Sequence, residues 1–181
     1  MRLFAAAVPP PDVLRHLEAA VEPLRDTAVR WANADGRHVT LAFYGEVSDD
    51  RVADLSERLR RAAGRHPPIE LGLAGAGRFD GRVLWVGCTG ELEPLRKLAQ
   101  SCRAAGRRVG ADIETHRRYR AHVTLARSSR PIDLRPYVAA LSGYAGPLWT
   151  ATEIALVGSH LGAGEGGRPR YEQVATFELA G

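Results

Sequence analysis

The pentapeptide His-Val-Thr-Leu-Ala occurs twice in the chain, at residues 38–42 and, unchanged, at residues 122–126. In a β-strand, residues i and i+2 point to one face of the sheet, and residues i+1 and i+3 point to the other. The His and Thr of each copy therefore share a face, while the Val and Leu face a hydrophobic core. We interpret the two segments as two copies of one catalytic strand.

Two histidines and two threonines suit the hydrolysis of a phosphodiester. The pKa of a free imidazole is about 6.5, so one histidine can accept a proton at neutral pH while the other donates one. A threonine hydroxyl two residues along each strand can donate a hydrogen bond to a phosphoryl oxygen and stabilise the charge that develops there. Because the motifs are identical, they do not tell which histidine is the acid. The candidate catalytic residues are His38, Thr40, His122 and Thr124.

The repetition supports this function more than either motif does alone. A single His-x-Thr is ordinary in a strand where the histidine is half-buried and hydrogen-bonded, so it carries little information. A repeat that served only the core would need Val and Leu but not His and Thr. A metal site built on His38 and His122 lacks a third ligand at a recognisable spacing. We therefore expect neither a metal ion nor a cofactor.

Length and composition set the outer limits. With 181 residues, 45% of them hydrophobic, the chain predicts a single domain, residues 1–181, made of two small lobes. A formal charge of +4 gives weak support for a polyanionic partner. Cys88 and Cys102 form no metal or disulfide pattern, which favours a reducing cytosol, and Met1 to Pro10 is read as a first strand instead of a signal peptide. No apolar run is long enough for a membrane span, so a cytoplasmic protein is expected.

Hydrophobic periodicity and turn residues predict the remaining elements. Besides the two motif segments, strands are expected at residues 2–8, 28–31, 69–74, 83–88, 148–157 and 171–179, and helices at 12–24, 48–64, 91–107 and 133–141. Pro23 should kink or divide the first helix, and Pro136 should interrupt or bend the last one. The glycine-rich segment 75–81 is predicted as a flexible hairpin connection, and segment 162–169 as a mobile loop.

Strands alternate with helices in both halves of the chain, and each half holds one motif. This pattern predicts an α+β or α/β fold with an internal duplication. A pseudo-two-fold axis would bring the two motif strands side by side and place two histidines across a shared cleft.

A basic segment, residues 107–120, precedes the second motif and ends in His-Arg-Arg-Tyr-Arg. Interleaved Arg and Tyr can hold a backbone phosphate and stack a base, and His116 could touch RNA there. The alternative is a solvated loop with no ligand.

Residues 38–45 and 122–127 resemble the paired H-x-T-x motifs of the 2H phosphoesterase superfamily, and most closely those of prokaryotic RNA 2',3'-cyclic phosphodiesterases, formerly named 2'-5' RNA ligases. The likeness extends over nearly the whole chain. Tyr44 stands where Leu is more usual, and Ala121 stands where Pro is common. Neither departure touches a catalytic side chain.

The resemblance implies an α+β, bilobal fold in which two antiparallel sheets line a central V-shaped groove and helices lie outside. It implies metal-independent hydrolysis of a terminal RNA 2',3'-cyclic phosphate to a 2'-phosphate by a monomer. RNA ends, tRNA fragments among them, would be the partner. His38 would be the proton donor to the departing 3' oxygen and His122 the proton acceptor that activates water, while Thr40 and Thr124 would bind the phosphoryl oxygens.

Further substrate contacts are expected at Arg127, Phe43, Tyr119, Arg120 and Tyr171. Strict alternation puts Arg127 on the face of Leu125, away from the groove, so it reaches substrate only if the strand ends or twists there. Other activities of the superfamily stay open: cleavage of 2',5'-linked oligonucleotides, cyclic nucleotide hydrolysis and ATP-independent RNA ligation. A protein that binds RNA ends without turnover is the alternative from another class.

Overall fold

The computed structural model describes residues 1–114 and 117–181. Its strands are β1 (Arg2–Ala7), β2 (Arg30–Trp31), β3 (Val39–Glu46), β4 (Ile69–Phe79), β5 (Val83–Gly90), β6 (His122–Arg127), β7 (Trp149–Ala151), β8 (Glu153–His160) and β9 (Arg170–Glu178). Its α-helices are α1 (Pro11–Val21), α2 (Asp49–Ala63), α3 (Leu92–Arg108) and α4 (Arg135–Leu141). The predicted α+β class is confirmed.

The strands of the described residues form one antiparallel sheet in the order β7-β4-β5-β6-β3-β1-β8-β9, and β2 pairs with β6. The two motif strands, β3 and β6, lie side by side at its centre, as predicted. A single residue pair, Val39 and Val123, joins them, whereas every other strand along this order pairs over several residues. The two expected sheets are thus two halves of one nine-stranded sheet, joined at a weak seam: β7, β4, β5 and β6 with β2 on one side, and β3, β1, β8 and β9 on the other.

All four helices contribute to one hydrophobic core on the side of the sheet that holds Val39, Leu41, Val123 and Leu125. Their buried residues recur at helical spacing, for example Val13, Leu17 and Val21 on α1 and Leu95, Leu98 and Cys102 on α3. On the opposite face of the seam, no residue of the four α-helices lines the space above the two motifs, which is open to a ligand. None of the helices in the described part of the chain is long and apolar enough to cross a membrane.

Three local predictions are wrong. Strand β4 continues through the glycine-rich segment to Phe79, so only residues 80–82 connect it to β5. Pro136 lies in the first turn of α4, where its missing N–H has no helical partner to lose, so it starts the helix instead of bending it. The predicted strand 148–157 is divided at Thr152 into β7 and β8.

The course of β4 has a steric explanation. Gly77 lies opposite Trp85 in the ladder, and a Cβ at position 77 would come within 2.2 Å of the Trp85 indole ring. Glycine weakens a strand on average, but here it makes room for a large ring that lies across the strand. The glycine content of this segment therefore suggested a loop, although the packing of Trp85 across Gly77 keeps it a strand.

Candidate active site

The register of the seam brings the two motifs together. Because Val39 pairs with Val123 in an antiparallel arrangement, Thr40 lies beside His122 and His38 lies beside Thr124. Neighbouring strands in such a ladder place diagonal residues such as the two histidines about 7–8 Å apart. All four side chains are half-buried and lie on the face opposite the core. The predicted catalytic residues are thus brought to one place.

A cavity of about 190 Å³, which we call the seam cavity, lies over this face. Its walls include both His-x-Thr pairs, Arg127 and Tyr171, together with Arg30, Trp31 and Arg168. The cavity is cationic, and both histidines reach it from the floor.

His38 is packed between two aromatic rings, one from β1 and one from β9. Its ring centroid lies 4.6 Å from that of Phe4 and 5.0 Å from that of Tyr171. Burial lowers the pKa of His38, a hydrogen bond to the backbone of Asp35 opposes this shift, the charge of Arg127 adds to it, and the resulting pKa is about 4. The ring is therefore neutral at pH 7 when the cavity holds no anion.

His122 is packed in the same way by other residues. Its ring lies edge-on to Phe79 at 5.1 Å and near Trp85 at 5.9 Å, centroid to centroid. His122 Nδ1 donates a hydrogen bond to the carbonyl oxygen of Arg120 at 2.8 Å, since a carbonyl can only accept. Nε2 of the neutral ring then carries the free lone pair, as a proton acceptor requires.

The pKa of His122 is also lowered. Burial is the main cause, and the positive charges of Arg127 and Arg120 add to it, while the hydrogen bond to the Arg120 carbonyl works in the other direction. A base at this position would be unprotonated at neutral pH.

A β-bulge places Arg127 in the seam cavity. Leu84 pairs with Ala126 and Trp85 pairs with Thr124, so Leu125 has no partner across the ladder. This extra residue reverses the alternation after Leu125 and turns Arg127 to the histidine face. Strict alternation would keep Arg127 away from the substrate unless the strand ended or twisted there, and the bulge provides this change of direction.

The same irregularity occurs in β3. Ala5 pairs with Ala42 and Ala6 pairs with Thr40, which leaves Leu41 without a partner. Phe43, at the position equivalent to Arg127, then pairs with Phe4 on the histidine face. The Phe43 ring is 42% exposed and lies 4.8 Å below the Arg2 guanidinium. It borders the groove but not the seam cavity.

The other three predicted substrate contacts differ in position. Tyr171 lines the seam cavity. Arg120 lies beside the seam cavity, with its guanidinium carbon 5.5 Å from the centroid of the Trp85 ring. Tyr119 lies elsewhere: its side chain is largely buried, and its hydroxyl donates a hydrogen bond to the Thr40 carbonyl at 3.1 Å, which ties the segment before β6 to β3. Of the basic segment, His116 falls outside the described residues.

Sequence reasoning predicted Tyr171 as a substrate contact but missed the other aromatic residues that hold the histidines, Phe4, Phe79 and Trp85, and it missed Arg30 and Arg168. Gly77 was the available signal for Trp85, because a glycine within a strand often faces a bulky neighbour. Within residues 1–114 and 117–181, no group of three His, Cys, Asp or Glu side chains could hold a metal ion.

Comparisons with known proteins show what this chain is similar to. A family model described as the 2'-5' RNA ligase superfamily matches residues 9–163. An Escherichia coli protein named RNA 2',3'-cyclic phosphodiesterase is 34% identical over 140 residues, which are 75% of this chain and 77% of that protein. A Geobacillus stearothermophilus protein of the same name is 30% identical over 161 residues, 83% of this chain. The match covers 48% of the Geobacillus protein, so this chain spans about half of its length.

Solved structures show the same fold. E. coli LigT in its apo form is similar with a TM-score of 0.79 at 28% identity, covering 99% of this chain and 98% of that one. A Thermus thermophilus protein has a TM-score of 0.78 at 26% identity, covering 100% of this chain and 99% of that one. LigT has also been crystallised with 3'-AMP, with a TM-score of 0.76 at 28% identity and coverage of 99% of this chain and 98% of that one.

Proposed function

The chain belongs to the 2'-5' RNA ligase superfamily, and on this premise we propose that it hydrolyses RNA 2',3'-cyclic phosphate ends to 2'-phosphomonoesters. We propose that His38 and His122 act as general acid and general base without a metal ion. The observation that carries the proposal is the convergence of both His-x-Thr pairs on one small cationic cavity. The names of the curated relatives and the LigT complex with 3'-AMP support the substrate class.

In this mechanism a water molecule attacks the phosphorus and gives its proton to Nε2 of His122. The bond from phosphorus to the 3' oxygen breaks, and His38 donates a proton to that oxygen. The product carries its phosphate on the 2' oxygen. Thr40 and Thr124 donate hydrogen bonds to the non-bridging oxygens, and Arg127 adds positive charge where negative charge develops.

The lowered pKa values fit this scheme once substrate is present. Both rings are neutral in the free cavity, so the base is ready. The negative charge of the bound phosphodiester favours an imidazolium beside it and raises the pKa of the donor. Substrate binding thus favours the uptake of a solvent proton by His38, which passes it to the 3' oxygen, while His122 takes one proton from water, so that the two transfers balance.

An oligonucleotide ending in a 2',3'-cyclic phosphate, incubated with the protein in EDTA, tests the proposal. The expected product has a 2'-phosphate, which ³¹P NMR distinguishes from a 3'-phosphate. A 3'-phosphate product, or a strict requirement for added metal, would contradict the mechanism. Binding without turnover would favour an RNA-end-binding protein, and turnover of only a 2',5'-linked dinucleotide would favour another activity of the superfamily.

A further inference from the structure

A second depression adjoins the seam cavity and shares a wall with it. This arginine trough, of about 980 Å³, is lined by residues 25–31 and by Arg127, Ser128, Ser129 and Arg168. Arg30, Trp31, Arg127 and Arg168 line both spaces, so the trough continues the seam cavity beyond the histidines.

The trough carries uncompensated positive charge. Within residues 1–114 and 117–181, Arg30, Arg127 and Arg168 form no ion pair with a carboxylate. Arg25 is different, because Glu18 and Glu22 neutralise it. Asp26 is the one acidic residue among the described residues of the wall, and its oxygens accept hydrogen bonds from the Tyr137 hydroxyl and the Ala28 N–H. The wall still has an excess of cations.

The chemistry of the substrate determines which part of the RNA strand extends out of the seam cavity. A 2',3'-cyclic phosphate occupies both the 2' and the 3' oxygen of the last nucleotide, so the rest of the RNA can continue only through its 5' oxygen. That oxygen bears the first backbone phosphate, a fixed negative charge next to the reacting group.

The cavity on the other side of His38 is a poor path for this strand. Its walls include the apolar side chains of Val8, Pro9, Pro11 and Leu14, and two of its three arginines, Arg25 and Arg37, are paired with Glu18. A phosphodiester there would lose water without gaining a comparable set of free cations. The charge distribution therefore favours the arginine trough.

We propose that the arginine trough binds the backbone of single-stranded RNA on the 5' side of the cyclic phosphate, and that Arg30 and Arg168 contact its phosphates. This inference rests on the proposed function. Among the described residues of the wall, Trp31 is the only aromatic one, and it is 4% exposed, so these residues offer no ring for base stacking. Recognition is by charge, and it is therefore independent of base sequence.

The test compares two substrates, a 2',3'-cyclic mononucleotide and a decanucleotide with the same end. The length ratio is kcat/KM for the decanucleotide divided by kcat/KM for the mononucleotide. Arg30→Ala is expected to lower this ratio about tenfold, through KM, and to reduce the salt slope of the decanucleotide reaction by about 0.7. Thr27→Glu, which adds a negative charge to the trough wall, lowers the ratio in the same direction.

Two matched variants locate the effect. Arg61→Ala removes an exposed charge from α2, on the helical side of the sheet, and leaves the ratio unchanged. Arg118→Ala removes a positive charge from the basic segment before β6, and the length ratio is again expected to stay unchanged. If Arg118→Ala lowers the ratio as much as Arg30→Ala does, the strand does not follow the trough, and the inference is overturned.

The inference and the proposed function fail in different ways. If the mononucleotide is hydrolysed and neither Arg30→Ala nor Thr27→Glu changes the length ratio, the trough is not the RNA path. If neither substrate is hydrolysed, the proposed function fails. Fluorescence anisotropy of the labelled decanucleotide then decides on the trough, because Arg30→Ala must weaken binding and Arg61→Ala must not.

Discussion

His38 and His122 lie in identical pentapeptides, yet the sheet surrounds them differently. Phe4 and Tyr171, from β1 and β9, pack around His38, whereas Phe79 and Trp85, from β4 and β5, pack around His122. Two aromatic rings hold each histidine, but they come from opposite halves of the sheet. The repeat therefore extends to the packing, although the packing residues do not repeat in sequence.

The differences lie in charge and hydrogen bonding. Five residues after the histidine, one motif has Phe43 and the other has Arg127. His122 Nδ1 donates a hydrogen bond to the Arg120 carbonyl at 2.8 Å, whereas the backbone partner of His38 is Asp35, and burial is most severe for His38, whose pKa falls to about 4. Identical motifs can therefore take different roles, because their surroundings set which nitrogen is free and how easily each ring is protonated.

Removing either histidine is expected to have the largest effect. His38→Ala and His122→Ala should each lower kcat by about 10²- to 10⁴-fold, because each removes a proton-transfer group. The double variant should be little slower than the slower single variant, since the two groups act in one step. Circular dichroism checks that the fold is kept. Near wild-type rates for both single variants would show that His38 and His122 are not the general acid and the general base.

Changing Arg127 should affect both histidines at once. Its charge lowers the pKa of each ring, so Arg127→Gln should raise both pKa values and move the optimum of kcat/KM to higher pH. KM should also rise by roughly tenfold, since a charge-assisted contact to phosphate is lost. The equivalent variant in the other motif, Phe43→Leu, should leave the optimum in place. Equal shifts for the two variants would show that the halves do not differ in charge as described.

A smaller effect is expected where glycine makes room for one ring. In Gly77→Ala, the new methyl group must displace Trp85, which lies beside His122, and the loss of unfolding free energy should be about 1–3 kcal/mol. Thermal or urea unfolding measures it. Gly143→Ala is the control, because no atom lies within 4 Å of a Cβ at that position. A Gly77→Ala protein as stable as the control would mean that Trp85 does not lie across β4.

The sequence predicted those parts of the fold that depend on local pattern. Helix α2 begins after Ser48 and ends before Gly64, and α1 ends at Val21, two residues before Pro23, as the capping and proline signals indicated. The course of β4 could not be predicted, because Gly77 is explained only by the ring of a residue on the next strand. Local propensity was overridden there by cross-strand packing.

The candidate site divides in the same way. The four motif residues were predictable because the repetition is visible in the chain itself. Phe4, Phe79 and Tyr171 come from three other strands, and only the register of the sheet shows that they meet the histidines. The bulge at Leu125, which turns Arg127 into the seam cavity, leaves no mark in a single sequence.

The pH dependence of kcat/KM, measured for the wild type and for both histidine variants, tests the division of roles most directly. The wild type should give a bell with its maximum below pH 6.5, because both pKa values are lowered from 6.5, that of His38 to about 4. The residual activity of His38→Ala should rise with pH through the pKa of His122 and then stay level. That of His122→Ala should fall as the pH rises, because only protonated His38 acts. The same two-limbed bell in both variants would contradict the assignment of His38 as donor and His122 as acceptor.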